Sequence, residues 1–230
     1  MALTWTLSTY SRTSAAFQLE KHELLPNTVL VRKRDLAIRL QRTIPHPDPK
    51  VDLEQYTIPA NLAAEILFIA CYGRGDVENK TIADLGTGTG RLALGASMLG
   101  AQYVVGIDID RSTLDVASRN CRQLGLQVDW VLGDIQTLKG PLDTVLMNPP
   151  FGTRRAHTDL RFLQTAMAIS KVTYSIHKSS TRNYLIRWLR RLGMHVETIM
   201  TTTIEIPHSF SFHKKRRRYV DVDIIRIERR

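Results

Sequence analysis

No stretch of this chain is long and apolar enough to cross a bilayer. The longest apolar run, Leu62 to Tyr72, is interrupted by Glu65, and a hydrocarbon core of roughly 30 Å asks for about 20 consecutive apolar residues. The N-terminus, MALTWTLSTYSRTSAAF, lacks a basic start followed by a solid apolar block. It does not read as an export signal, and a cytoplasmic location is expected. Cysteine is scarce: Cys71 and Cys121 are the only two, neither in a Cys-x-x-Cys pair. A disulfide framework is excluded, and two small buried thiols in a reducing compartment are expected. Internal repeats and low-complexity segments are also lacking. His177, His208 and His213 have no second ligand at metal spacing, so no metal site is expected.

Acidic residues are in deficit too. Against 32 Lys and Arg stand 22 Asp and Glu, a formal charge of +10. A soluble protein repels itself at such a charge, and a polyanionic partner is the usual compensation. The excess gathers in the last fifty residues, in the run His213-Lys214-Lys215-Arg216-Arg217-Arg218 and in Arg182, Arg187, Arg190 and Arg191. Nucleic acid is the expected partner. A membrane surface is the weaker candidate, because no apolar helical face accompanies the basic run. At 43% hydrophobic residues the chain can build a real core.

Residues 1–50 are the least legible part and are expected to form a basic, helical extension ahead of a main domain at 51–230. Val29 to Ile44 has apolar residues at mixed spacing with basic interruptions, and Pro45-His46-Pro47-Asp48-Pro49 reads as a linker or boundary. Beyond it the pattern alternates. Asn61 to Tyr72 has helical spacing. Strands are expected at Thr81 to Leu85, Tyr103 to Ile107, Val128 to Leu132, Leu142 to Met147 and Val172 to Ile176. Helices are expected at Arg91 to Leu99, Ser112 to Leu124, Leu160 to Ser170 and Ser180 to Leu192. Two long β-rich runs, Met194 to Ile206 and Tyr219 to Ile227, close the chain. Such alternation implies an α/β fold, a mostly parallel sheet covered on both faces. Its ligands bind at the carboxyl ends of the strands, near the switch in strand order. Trp130 and Trp188 read as core or helix-face residues.

Asp84-Leu85-Gly86-Thr87-Gly88-Thr89-Gly90 follows the first of these strands and opens a helix. Glycines at 86, 88 and 90 let the backbone turn sharply and approach a ligand where a Cβ would collide. A dinucleotide site would use Gly-x-Gly-x-x-Gly against pyrophosphate. Here the spacing is Gly-x-Gly-x-Gly, and Asp84 precedes it inside the strand. The combination suits a cofactor without phosphate, whose ammonium a carboxylate can meet. Asp108 ends the next strand, where a carboxylate accepts both hydroxyls of a ribose. Asp134 ends the third and can take the exocyclic amine of an adenine ring. Asp110 is an N-cap candidate. Three acids at three successive strand ends point to S-adenosylmethionine.

Asn148-Pro149-Pro150-Phe151 comes directly after the strand Leu142 to Met147. An exocyclic amine on a base is a poor nucleophile, because its lone pair is delocalised into the ring. It needs acceptors for its two hydrogens, placed so that the lone pair turns toward the methyl group. The Asn148 side-chain oxygen can accept one hydrogen and the Pro149 carbonyl the other. Pro150 has a restricted φ and holds that carbonyl in an extended direction. Phe151 offers a flat face for an extruded base. Arg154 and Arg155 follow in a basic loop that can contact phosphate, as can Lys214, Lys215, Arg216, Arg217 and Arg218. Lys178, Ser179 and Ser180 read as caps of the following helix, with contact to the cofactor side of the pocket as the alternative.

With Asn148-Pro149-Pro150-Phe151-Gly152-Thr153 in place, the chain resembles the rRNA adenine-N6 methyltransferases of the methyltransferase-like protein 5 family. Leu53-Glu54-Gln55-Tyr56-Thr57 looks like that family's entry segment, which lies over the cofactor. Glu78-Asn79-Lys80, Met98-Leu99-Gly100-Ala101, His177-Lys178-Ser179-Ser180-Thr181-Arg182 and Phe212-His213-Lys214-Lys215 match in the same order. The resemblance covers about residues 52–228. It implies a Rossmann-like seven-stranded class I methyltransferase sheet, mostly parallel with an antiparallel last strand. It implies one adenosine of small-subunit rRNA as substrate, and a small zinc-binding activator protein as partner. Carried over, the cofactor contacts fall on Gln55, Thr57 or Ile58, Gly86, Thr89, Arg91, Asp108, Asp134 and Ile135, with Gly90 in the same loop. The entry segment reads Gln-Tyr-Thr-Ile-Pro-Ala where relatives commonly have Gln-Tyr-Pro-Thr-x-Pro, which leaves Thr57 and Ile58 both open.

Two other enzymatic readings use the same acceptors: methylation of guanine N2 in rRNA or tRNA, and of the glutamine amide of a release factor. The second usually presents Tyr where Phe151 stands and needs no basic tail. A non-enzymatic RNA-binding role on the same fold would be marked by loss of Asn148 or of the glycine loop, and neither is lost.

Overall fold

Alternation along the central strands dictates two cores. In the strand Thr81–Leu85 (β1), Ile82 belongs to one buried cluster and Ala83 and Leu85 to the other. In Leu142–Met147 (β4), Leu146 falls in the first cluster, Val145 and Met147 in the second. Successive side chains leave a strand on opposite faces, so a strand with apolar residues pointing both ways must be covered on both. The computed structural model of the chain, which describes residues 31–151, 158–207 and 217–229, has this arrangement.

Five further strands complete the sheet: Tyr103–Asp108 (β2), Asp129–Leu132 (β3), Ser170–Lys178 (β5), Met194–Pro207 (β6) and Arg217–Arg229 (β7). The order is β3-β2-β1-β4-β5-β7-β6. Strands β1 to β5 pair in parallel, and β7 runs antiparallel to both of its neighbours. This is the expected mostly parallel sheet with an antiparallel last strand. Because β1 lies between β2 and β4, the strand order reverses there, and a cleft opens at the carboxyl ends of β1, β2 and β4.

One face carries Lys33–Gln41 (α1), Ala60–Phe68 (α2) and Arg91–Met98 (α3), the other Thr158–Ile169 (α5) and Arg182–Arg191 (α6). Arg111–Leu124 (α4) joins β2 to β3. The apolar run from residue 61 to 72 is not uniform: α2 passes into a π-turn, wider in radius, at Ile69–Gly73. Cys71 and Cys121 are buried and unpaired, and burial pushes the Cys71 thiol up to about 11. Among the described residues no helix is long and apolar enough to cross a membrane.

The helix α1 falls in the stretch expected to be basic and helical, and it belongs to the sheet-bearing unit, which runs from Val31 to Arg230. Leu36 and Leu40 are fully buried against α2 and α3. At roughly 1.5–3 kcal/mol for each buried leucine, those two side chains give most of the docking of a helix that also carries Lys33, Arg34 and Arg39. Residues 31–50 thus share a core with the domain that the sequence placed at 51–230. The rest of the N-terminal extension lies outside the described residues, as do His208 and His213.

Candidate cofactor and catalytic site

The glycine loop is braced from below. Gly90, which precedes α3, has φ +85°, and a Cβ there would come within 2.7 Å of the Trp130 ring and 3.2 Å of Ala117. Trp130, on β3, is therefore the floor that requires glycine at 90. Gly88 has φ +55° and nothing within 4 Å of its missing Cβ, so its bare backbone faces open space in the cleft. The loop is pinned to β2: Gly86 N and Thr87 N both donate to Ile107 O, at 2.9 and 3.0 Å.

The three strand-end acids all line this cleft, in different states. Asp84 is 1% exposed. Its Oδ2 accepts from Thr87 Oγ1 at 2.7 Å and Ala93 N at 3.0 Å, yet burial lifts its pKa to about 7. Asp108 accepts from Gly88 N at 2.8 Å and Asp110 N at 2.9 Å, and burial raises its pKa as well. Asp134 heads a short 3-10 turn and accepts from Gln136 N at 3.0 Å. Its neighbour Arg161 lies 2.5 Å away, and the two contacts hold its pKa below the usual carboxylate value. Ile135 follows it, buried on the cleft wall.

Asp110 caps α4, accepting from Ser112 N at 3.0 Å, as expected. It also receives Lys50 Nζ at 2.8 Å and Gln55 Nε2 at 2.9 Å. Burial opposes its ionisation, but these hydrogen bonds hold its pKa far below the usual value. Gln55 has both ends engaged, since its Oε1 accepts from Lys50 N at 2.7 Å. Its side chain braces the entry segment at the cleft wall. Arg91 does similar work, donating to the Ile58 carbonyl and, at 3.0 Å, to Thr43 Oγ1. Thr57 Oγ1 accepts from His46 N at 3.2 Å.

The proline-rich segment read as a linker is in fact part of the wall. His46 lines the cleft. Its Nδ1 accepts from Asp48 N at 3.0 Å, and its buried Nε2 finds no hydrogen-bond partner among the described residues. The Asp110 carboxylate lies 3.9 Å from it, beyond hydrogen-bond reach, so the atom can still take a polar ligand. Asn120 was missed. It is fully buried on α4, and its Nδ2 donates to Thr89 O and Ile44 O, both at 3.1 Å, tying the glycine loop to the N-terminal segment. The available signal was an asparagine in line with Thr113, Ala117 and Cys121 on the buried face of that helix.

Asn148 follows β4 and lines the cleft together with Pro150; Pro149 is buried. The Asn148 Oδ1 accepts from the Tyr56 hydroxyl at 2.6 Å. The Phe151 ring packs against Tyr56, centroids 5.8 Å apart at 32°. Lys178 Nζ stands 5.5 Å from the Phe151 centroid. The expected helix capping by Lys178 and its neighbours does not occur: no side chain caps the turn Ser179–Thr181 or α6. Ser179 Oγ instead donates to Asp223 at 2.8 Å, a carboxylate that also accepts from Arg182 and Thr201. Arg182 is thereby committed to an ion pair, while Arg187, Arg190 and Arg191 remain exposed. Arg154, Arg155, Lys214, Lys215 and Arg216 lie outside the described residues, as do the side chains of Arg217 and Arg218. His177 is buried with its Nε2 2.7 Å from Ser175 Oγ, and burial lowers its pKa to about 4.

The family described as Ribosomal protein L11 methyltransferase (PrmA) matches residues 67–148, from α2 to Asn148. A relative from Danio rerio, rRNA N(6)-adenosine-methyltransferase METTL5, is 36% identical over 203 residues, which cover 85% of this chain and 98% of the relative. The chain belongs to the methyltransferase-like protein 5 family. An uncharacterized Methanocaldococcus jannaschii protein is 38% identical over 215 residues, covering 87% and 95% of the two chains. The crystal structure of Pyrococcus horikoshii PH1948 superposes with a TM-score of 0.80 at 41% identity, covering 87% of this chain and 99% of that one. Similarity to the Danio rerio relative covers 85% of the chain, well beyond the stretch 67–148 matched by the L11 family. Class I membership implies S-adenosylmethionine as methyl donor.

Proposed function

We propose that this chain transfers a methyl group from S-adenosylmethionine to N6 of an adenosine in RNA, with small-subunit rRNA as the substrate. The observation that carries this reading is the placement of Asn148, at the tip of β4, on the same cleft as Asp84 and Asp108. The donor set suits the cofactor: Asp84 for an ammonium, Asp108 for ribose hydroxyls, Asp134 and Ile135 for an adenine ring. The glycine loop at Gly86, Thr89 and Gly90, with Gln55, Thr57, Ile58 and Arg91, walls the site. When bound, the cofactor supplies a reactive sulfonium methyl.

The remaining work belongs to this chain. Asn148 Oδ1 and the Pro149 carbonyl take the two hydrogens of the amine and turn its lone pair toward the methyl. Pro150 fixes the direction of that carbonyl, and Phe151 gives the extruded base a surface to stack on. No strong base is needed, because the proton can leave after transfer, and in-line positioning supplies most of the acceleration. Arg154, Arg155 and the run Lys214 to Arg218 contact RNA phosphates, in keeping with the charge of +10. A small zinc-binding activator is the proposed protein partner.

The test is to supply labelled cofactor with separated ribosomal RNAs, tRNA and release factor, then digest and identify the product. N6-methyladenosine from small-subunit rRNA is expected. N2-methylguanosine or N5-methylglutamine as the sole product would overturn the adenine assignment.

A further inference from the structure

We infer that Tyr56 is a positioning residue that fixes which end of the Asn148 carboxamide faces the substrate. The inference rests on the proposed role of Asn148 as an acceptor and extends it to a residue outside the Asn-Pro-Pro-Phe motif. A carboxamide is nearly symmetric in shape, and its oxygen and nitrogen exchange places by rotation about one bond. The two orientations are opposite in chemistry. With Oδ1 toward the substrate amine, the side chain accepts a hydrogen; with Nδ2 there, N–H groups oppose N–H groups and the amine is repelled. A strand tip does not by itself choose between them.

Tyr56 does. Its hydroxyl lies 2.6 Å from Asn148 Oδ1, and burial pushes the phenol's ionisation far above its usual range, so it keeps its proton. The phenol proton needs an acceptor, and placing Nδ2 at that position would turn the amide oxygen away from it. The amide oxygen has two lone pairs. One receives Tyr56, and the second is left for the substrate. The same high ionisation argues against the phenol as a general base.

Tyr56 is held firmly enough for this task. Its ring packs against Phe151, and its chain neighbours are anchored on either side, Gln55 by Asp110 and the Ile58 carbonyl by Arg91. The entry segment thereby reaches across 92 residues of sequence to set the catalytic asparagine.

The test compares Tyr56→Phe, Asn148→Asp and the double variant, on whichever substrate the wild type methylates. Failure of the adenine assignment therefore shows in the wild-type product and leaves this comparison intact. Tyr56→Phe should lower kcat roughly 10- to 100-fold, the scale of a displaced catalytic group, with S-adenosylmethionine affinity within about twofold. Asn148→Asp presents an oxygen in both positions, so orientation ceases to matter. In that background Tyr56→Phe should cost no more than about threefold. Three outcomes would overturn the inference: wild-type kcat in Tyr56→Phe, an undiminished loss in the aspartate background, or a loss of kcat matched by a loss of cofactor affinity or of Tm.

Discussion

Asn148→Ala lowers kcat by at least about 100-fold, the scale seen when one preorganised hydrogen-bonding partner is removed from a transition state. S-adenosylmethionine affinity stays within about twofold of the wild type, because the side chain meets the amine and not the cofactor. Asn148 Oδ1 is already oriented by the Tyr56 hydroxyl, so the acceptor is in place before substrate arrives. Alanine leaves the Pro149 carbonyl to grip one hydrogen alone, and the amine lone pair stays delocalised into the ring. Single-turnover rates with saturating cofactor, beside calorimetry, separate the two quantities. Near-normal turnover would show that the nitrogen is activated elsewhere.

Asp84→Asn has two effects of opposite sign. The carboxyl is buried with its pKa raised from 3.8 to about 7. The folded protein therefore holds that proton more tightly than the unfolded chain. Its contribution to stability is full below pH 3.8 and is lost as pH rises through 7. Above that the buried side is charged and unfavourable. Asparagine can keep the bonds to Thr87 and Ala93 without the charge. The variant should melt higher than the wild type at pH 8, and the difference should close as pH falls toward 4. Cofactor affinity should fall by at least about thirtyfold, the scale for truncating one side of a buried charged pair. Unchanged affinity would remove the ammonium contact, and a lower Tm at pH 8 would make the carboxylate a structural group.

The central strands were legible because they are short apolar runs bounded by turn residues. Leu142–Met147 and Thr81–Leu85 fall where expected. The strand-end acids could be read because each follows such a run. Asp134 is more exposed than its companions and paired with Arg161, a contact to a residue on α5 that no local pattern announces. The bounds and packing of α1 were not legible, because only Leu36 and Leu40 are fully buried in it, among residues that include Lys33, Arg34 and Arg39. Apolar spacing over residues 61–72 cannot distinguish an α-turn from the π-turn that ends α2. Pro45, Pro47 and Pro49 rule out helix, but they do not say whether the extended chain leaves the domain or lines its cleft. Tyr56, Asn120 and Lys50 escaped for a common reason. Each acts through a partner between 60 and 92 residues away, or between 31 and 76 for the asparagine, and only the folded sheet brings those partners together.

A crystal structure with S-adenosylhomocysteine and an RNA oligonucleotide carrying the target adenosine tests the geometry most directly. The account predicts the adenine N6 within about 3.2 Å of both Asn148 Oδ1 and the Pro149 carbonyl oxygen, facing the sulfur. A bound adenine whose N6 is met by neither oxygen would contradict it.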